Sequence, residues 1–241
     1  MRWKSLAVVI AWVGLQSIVS ASEVEVEVVP LVDGVWVHTS WQQTESWGRV
    51  QSNGLVVREG KQLVVVDTAW GAEPSRALLA WIDRELKLPV ARLIVTHFHD
   101  DRLGGWEVFA ERGVRVVASP RTLELAGVTP TDAFDLYRLA IGEKQRIGEV
   151  EIFYPGRAHA EDNVVVWVPA VKVLAGGCAV RAAESRGLGN VADASVSNWA
   201  NTIRRVLAAY PDAAQVLPGH GAVGNLGLLH HTIALADAAP K

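Results

Sequence analysis

Thr96-His97-Phe98-His99-Asp100-Asp101-Arg102 is the stretch on which the reading of this chain turns. It follows residues 92–96, which read as a strand, and precedes the Gly104-Gly105 turn. On an extended or loop backbone, positions two apart point the same way. His97 and His99 can therefore face one ion, with Asp101 one step beyond. Imidazole nitrogen and carboxylate oxygen are good zinc ligands. With 7 His and 11 Asp in 241 residues, chance supplies roughly 0.01 occurrences of His-x-His-x-Asp. The bland alternative is a polar turn that happens to hold two histidines.

Outward from this turn, short strands alternate with helical patterns. Upstream, Val24, Val26 and Val28 alternate with glutamates, and Asp33-Gly34 predicts a hairpin into Val35-Trp36-Val37. Residues 54–58 and 63–66 flank a further turn, and the unbroken run Leu63-Val64-Val65-Val66 reads as a strand buried on both faces. Over residues 73–86 the period becomes helical, with Leu78, Trp81, Ile82 and Leu86 on one face. Downstream, residues 105–112 read as a short helix, and 115–118, 151–154, 163–168, 171–174 and 215–217 as strands. Two late helices are expected over 196–210, stopped by Pro211, and over 226–236. The order suggests two sheet-and-helix halves packed together, an α/β (α+β) chain.

Composition narrows the class. Half the residues are apolar and a fifth are charged, a globular balance. A net charge of −3 without a basic run argues against a nucleic-acid binder. One cysteine excludes an intramolecular disulfide framework. Residues 1–21 read as a secretory signal: Arg2 and Lys4, an apolar stretch, then Val19-Ser20-Ala21. The expected mature chain is residues 22–241, a single domain without a stable membrane anchor, and its net charge is −5.

Three single residues strengthen the metal reading. His159 follows Tyr154-Pro155-Gly156, Cys178 follows Gly176-Gly177, and His220 lies between Gly219 and Gly221. Each stands near a strand end with glycine close by, where the backbone can turn tightly. Each alone is more simply a buried thiol or a loop histidine. Together with His97, His99 and Asp101 they make six ligands, enough for two zinc ions with open positions.

These residues carry a resemblance. The chain resembles the metallo-β-lactamases, subclass B1, and within it the VIM-type branch. Besides the zinc turn and the glycine-flanked ligands, it shares Asn53-Gly54, Asp67-Thr68-Ala69-Trp70-Gly71 and Gly189-Asn190-Val191-Ala192-Asp193-Ala194. The resemblance implies an αββα sandwich, two mixed sheets flanked by helices, with a dizinc site along one edge. It implies that His97, His99 and His159 hold the first Zn2+, and that Asp101, Cys178 and His220 hold the second. Superfamily relatives commonly carry a histidine where Arg102 stands; Arg102 and Cys178 point towards β-lactamase and away from lactonase, glyoxalase or nuclease.

The signal segment leads to an expected periplasmic location, the chain is expected to act as a monomer, and by the same resemblance it confers antibiotic resistance. It opens the β-lactam ring of penicillins, cephalosporins and carbapenems by attack of a zinc-bound hydroxide. Asp101 orients that hydroxide, and Asp67 and Arg102 support the metal turn from beneath. Asn190 is expected to bind substrate and the developing oxyanion, and Arg181 the substrate carboxylate. No Ser-x-x-Lys stands in the mature chain, so the serine route has no candidate. A related hydrolase and a zinc-binding protein without activity are the alternatives. Trp41 and Trp47 bracket a polar segment, which reads as a mobile flap over the zinc site with Trp47 on the substrate. Trp70, Trp81, Trp106, Trp167 and Trp199 read as core, and His38, His230 and His231 as structural or surface residues.

Overall fold

The structure is a computed structural model, and it describes residues 26–240. The signal-segment expectation lies outside the described residues.

The chain opens with an antiparallel meander, β1 (Val26–Val32), β2 (Val35–Thr44), β3 (Gly48–Glu59) and β4 (Gln62–Val66). Helix α1 (Ala72–Trp81), continued by a π-helical turn over Ile82–Leu86, then crosses to β5 (Val90–Ile94), which pairs parallel with β4. Two short helices, α2 (Asp100–Leu103) and α3 (Trp106–Ala110), lead to β6 (Arg115–Ala118). Helix α4 (Pro120–Ala126) leads to β7 (Phe134–Leu136), completing a seven-stranded sheet in sequence order. The second sheet comprises β8 (Lys144–Ile147), β9 (Val150–Phe153), β10 (Val165–Val168), β11 (Val173–Gly177) and β12 (Gln215–Pro218). Its order is β12-β11-β10-β9-β8, and β12 pairs parallel with β11 after the long helix α5 (Val196–Ala209). Helix α6 (Gly227–Ala238) closes the chain.

The alternation inside β4 builds the layers. Val64 and Val66 face the second sheet and join Ile152, Val166 and Leu217 between the sheets. Leu63 and Val65 face the other way and pack under Leu78, Ile82, Phe109 and Leu123 of the helices. On the far side, Leu174 and Val216 meet Trp199, Ile203 and Leu229 of α5 and α6. This is the expected αββα sandwich, and its central strands β4, β10 and β11 read as apolar runs because both faces are covered.

Several local readings shift. The β2–β3 hairpin is longer than expected, paired out to Thr44 and Gly48. Strand β11 starts at Val173, because Lys172 adopts a left-handed conformation. The polar strands β7 and β8 and the short helix α4 carried too little periodicity to be read. Trp199 and Trp167 are buried and Trp81 and Trp106 pack partly against the core, but Trp70 is half-exposed on a cleft wall. No helix among the described residues is long and apolar enough to cross a membrane.

Candidate metal centre

All six expected ligands converge at the edge of the sandwich, on loops that leave strand ends. His97 and His99 follow β5, Cys178 follows β11 and His220 follows β12. His159 lies in the loop between β9 and β10. Asp101 arrives differently from expectation. Helix α2 begins at Asp100, so a helical turn, not strand-like alternation, aims the carboxylate.

Two adjoining triads form. In the first, His97 Nε2 lies 3.1 Å from His99 Nδ1, which lies 3.0 Å from His159 Nε2. In the second, Cys178 Sγ lies 3.2 Å from His220 Nε2 and 3.6 Å from Asp101 Oδ2. His220 Nε2 and Asp101 Oδ2 are 3.5 Å apart.

The donor chemistry fits metal ions. Burial holds His97 well below the ordinary imidazole range, with His159 beside it adding to the effect. Burial takes His159 down to about 3. It lowers His220 too, with the Arg102 charge acting in the same direction. His97, His159 and His220 are therefore neutral at pH 7, and the facing nitrogens of the first triad belong to His97, His99 and His159. Three facing imidazole nitrogens cannot all satisfy one another, since a neutral ring brings one N–H and one acceptor. A cation between them resolves the conflict. Burial pushes Asp101 upward, but the Arg102 guanidinium, with His220, His97 and His159 acting in the same direction, keeps the carboxyl well below the usual carboxylate range.

Surrounding groups orient the ligands, as the far nitrogens of metal-bound histidines require. His99 Nε2 meets Asp193 Oδ2 at 2.9 Å, and His220 Nδ1 meets the Gln51 carbonyl at 2.5 Å. His97 Nδ1 lies 3.3 Å from the Thr96 hydroxyl. Beneath the site, Arg102 is fully buried and faces five acceptors. Its guanidinium donates to the Asn53 and Gly219 carbonyls and to Cys178 Sγ, and approaches Asp67 and Asp101. A side chain at Gly219 would lie 2.7 Å from both Arg102 Nη2 and Cys178 Sγ, so only glycine allows this approach. Asp67 accepts from the Thr96 backbone N–H at 2.7 Å and from its hydroxyl at 3.0 Å. Both expected supports, Asp67 and Arg102, thus stand under the ligands. Burial raises Asp67 to about 7 against the pull of Arg102.

Four of the ligands, His99, Asp101, His159 and His220, line a cleft of about 370 Å³, with His97 and Cys178 buried behind them. Trp47, Trp70, Arg181 and Asn190 stand on its walls. Trp47, at the hairpin tip, is 62 % exposed. Asn190 is exposed, and its Oδ1 accepts from the Ala192 N–H, leaving the amide NH2 of the side chain for a ligand. Burial lowers the Arg181 pKa, and Arg181 Nε has no hydrogen-bond partner among the described residues. His38 is fully buried and meets the Val66 and Asp67 carbonyls, His230 is exposed, and His231 binds the Ser185 carbonyl. Sequence reading missed Asp193 as a partner of His99, Gln51 and Asn53 as holders of the His220 loop, and Trp70 as a cleft wall. Of these, Asn53, Trp70 and Asp193 had a signal, since each lies in a block shared with the family, whereas Gln51 had none.

Comparison with known proteins agrees with this geometry. The family model for the metallo-beta-lactamase superfamily matches residues 47–220. The metallo-beta-lactamase type 2 of Bacillus cereus is 41% identical over 217 residues, covering 87% of this chain and 82% of the relative. That of Bacteroides fragilis is 32% identical over 213 residues, covering 86% and 84%. Among solved structures, the metallo-beta-lactamase from Pontibacter korlensis superposes with a TM-score of 0.82 at 40% identity, covering 89% of this chain and all of that one. The enzyme from Hirschia baltica gives 0.84 at 34% identity, covering 90% and 99%. The sandwich, the converging ligands and these relatives together establish that the chain belongs to the metallo-β-lactamase superfamily.

Proposed function

We propose that this protein is a zinc-dependent hydrolase that opens the β-lactam ring of penicillins, cephalosporins and carbapenems. The observation that carries the reading is the pair of adjoining triads, His97-His99-His159 and Asp101-Cys178-His220, at the foot of an open cleft. His97, His99 and His159 would hold one Zn2+, and Asp101, Cys178 and His220 the other. Thiolate and imidazole together favour zinc over hard cations. Zinc, when bound, supplies Lewis acidity and lowers the pKa of water.

The chain's own residues do the rest. Asp101 accepts a hydrogen bond from the attacking water and orients it towards the lactam carbonyl. The Asn190 amide donates to the carbonyl oxygen as charge develops there. Arg181 binds the substrate carboxylate as a fixed charge. Trp47 and Trp70 cover apolar substituents, and the hairpin tip closes over them as a flap. The setting we assign is the periplasm, reached by removal of residues 1–21, where residues 22–241 act as one monomeric domain. Resistance to β-lactams is the consequence.

Nitrocefin turnover by purified protein, with and without a chelator, tests this. Activity should vanish with the chelator and return with zinc. Full activity in protein shown metal-free by elemental analysis would refute the reading. Zinc binding without turnover of any lactam, or turnover of lactones or thioesters instead, would move the assignment to another member of the superfamily.

A further inference from the structure

We propose that His38 is a positioning residue for the metal centre, its single ring N–H clamping the peptides of Val66 and Asp67 so that Asp67 aims the Thr96–His97 turn. The inference rests on the metal-binding reading above.

His38 lies on β2 and is fully buried. Its Nε2 is 3.3 Å from the Val66 carbonyl oxygen and 3.2 Å from that of Asp67. Carbonyls only accept, so Nε2 must carry the hydrogen. Nδ1 is then bare, and it has no partner among the described residues. Burial takes the ring down to about 4, so it is neutral and has one proton to offer.

What that proton holds is unusual backbone. Asp67 sits at φ 63, a left-handed conformation that disfavours residues other than glycine. The turn swings the Asp67 carboxylate towards β5, where it takes both the N–H and the hydroxyl of Thr96. Thr96 directly precedes His97, and its hydroxyl touches His97 Nδ1. One chain of contacts therefore runs from His38 through Asp67 and Thr96 to a metal ligand.

The surrounding residues are arranged to admit this imidazole. Gly54 on β3 stands directly opposite His38 in the ladder. A side chain at 54 would lie 2.2 Å from His38 Nε2 and 2.4 Å from the Val66 oxygen. Glycine weakens a strand interior, and here the missing side chain is the space the ring uses. Two residues further along β2, on the same face, the Ser40 hydroxyl accepts from the Trp70 N–H at 2.8 Å. β2 thus grips the segment from Val66 to Trp70 at both ends. Mere space-filling would need no donor.

Cobalt(II) titration of the full chain, read by visible absorbance, tests the proposal on wild type, His38→Gln and His38→Phe. Glutamine places an N–H near the position of Nε2; phenylalanine keeps ring volume without a donor. The phenylalanine variant should lose about tenfold or more in cobalt affinity, with shifted d–d bands, and glutamine should recover to within about threefold. Wild-type affinity in His38→Phe overturns the proposal, as does an equal loss in both variants. If the phenylalanine protein does not fold, His38→Gln decides alone: affinity within threefold supports, a tenfold loss overturns. A wild-type protein that binds no cobalt overturns the metal-centre reading itself, and this inference with it.

Discussion

The guanidinium of Arg102 lies 3.1 Å from the thiol of Cys178, 76 residues further along the chain, and both side chains are buried. Burial pushes the Cys178 thiol above its ordinary range, and Arg102 pulls it back only in part. The contact favours the thiolate, which is the form a metal binds.

The second triad should therefore release one proton when it takes a metal ion. Asp101 is already ionised and His220 already neutral at pH 7, so the proton comes from Cys178. Affinity at that triad should fall about tenfold for each unit the pH drops between 8 and 6. Pairing zinc titrations with proton release into a dilute buffer measures this. Cys178→Ser should lose the pH dependence and leave a preparation with close to one zinc. Equal loss of both metals would contradict the division into triads.

Asp193 is half-exposed where it meets His99, so as an ion pair it contributes little to stability. Its role is to orient the ring. Asp193→Ala should leave the melting temperature unchanged and weaken metal binding by about 10–100-fold. Competition against a chelating dye gives the number. Unchanged affinity would reduce the pair to a surface contact.

Arg181→Ala should raise KM more than it lowers kcat. A carboxylate held in ground and transition states alike is uniform binding, and its loss appears in KM. A charge-assisted hydrogen bond contributes about 1.5–3 kcal/mol, so KM should rise tenfold or somewhat more. Steady-state kinetics on several lactams will show whether KM moves.

Trp47→Ala should raise KM for lactams with bulky aromatic side groups. The ring is 62 % exposed, so nothing in the core is lost with it. Contact with a substrate group is worth on the order of 1–2 kcal/mol. Melting temperature and zinc content should stay near wild type. A fall of many degrees would mark Trp47 as a core residue.

Residue order alone made the layers and the set of candidate ligands legible. Leu63-Val64-Val65-Val66 announces a strand covered on both faces because side chains alternate with a period of two, whatever the rest of the chain does. His97, His99 and Asp101 were legible because they lie within five residues, and His159, Cys178 and His220 because glycines at strand ends mark them. What stands behind them emerges only when the chain is folded. Asp193 reaches His99 across 94 residues, and Arg102 reaches the Gly219 carbonyl across 117. His38, which showed no ligand spacing, came to lie beneath Asp67. Trp70, read as core, came to line the cleft. Local periodicity records which face of an element is apolar, but it carries no register between distant elements. That register is set when two sheets close on one another and each buried polar atom must find the partner that packing brings to it.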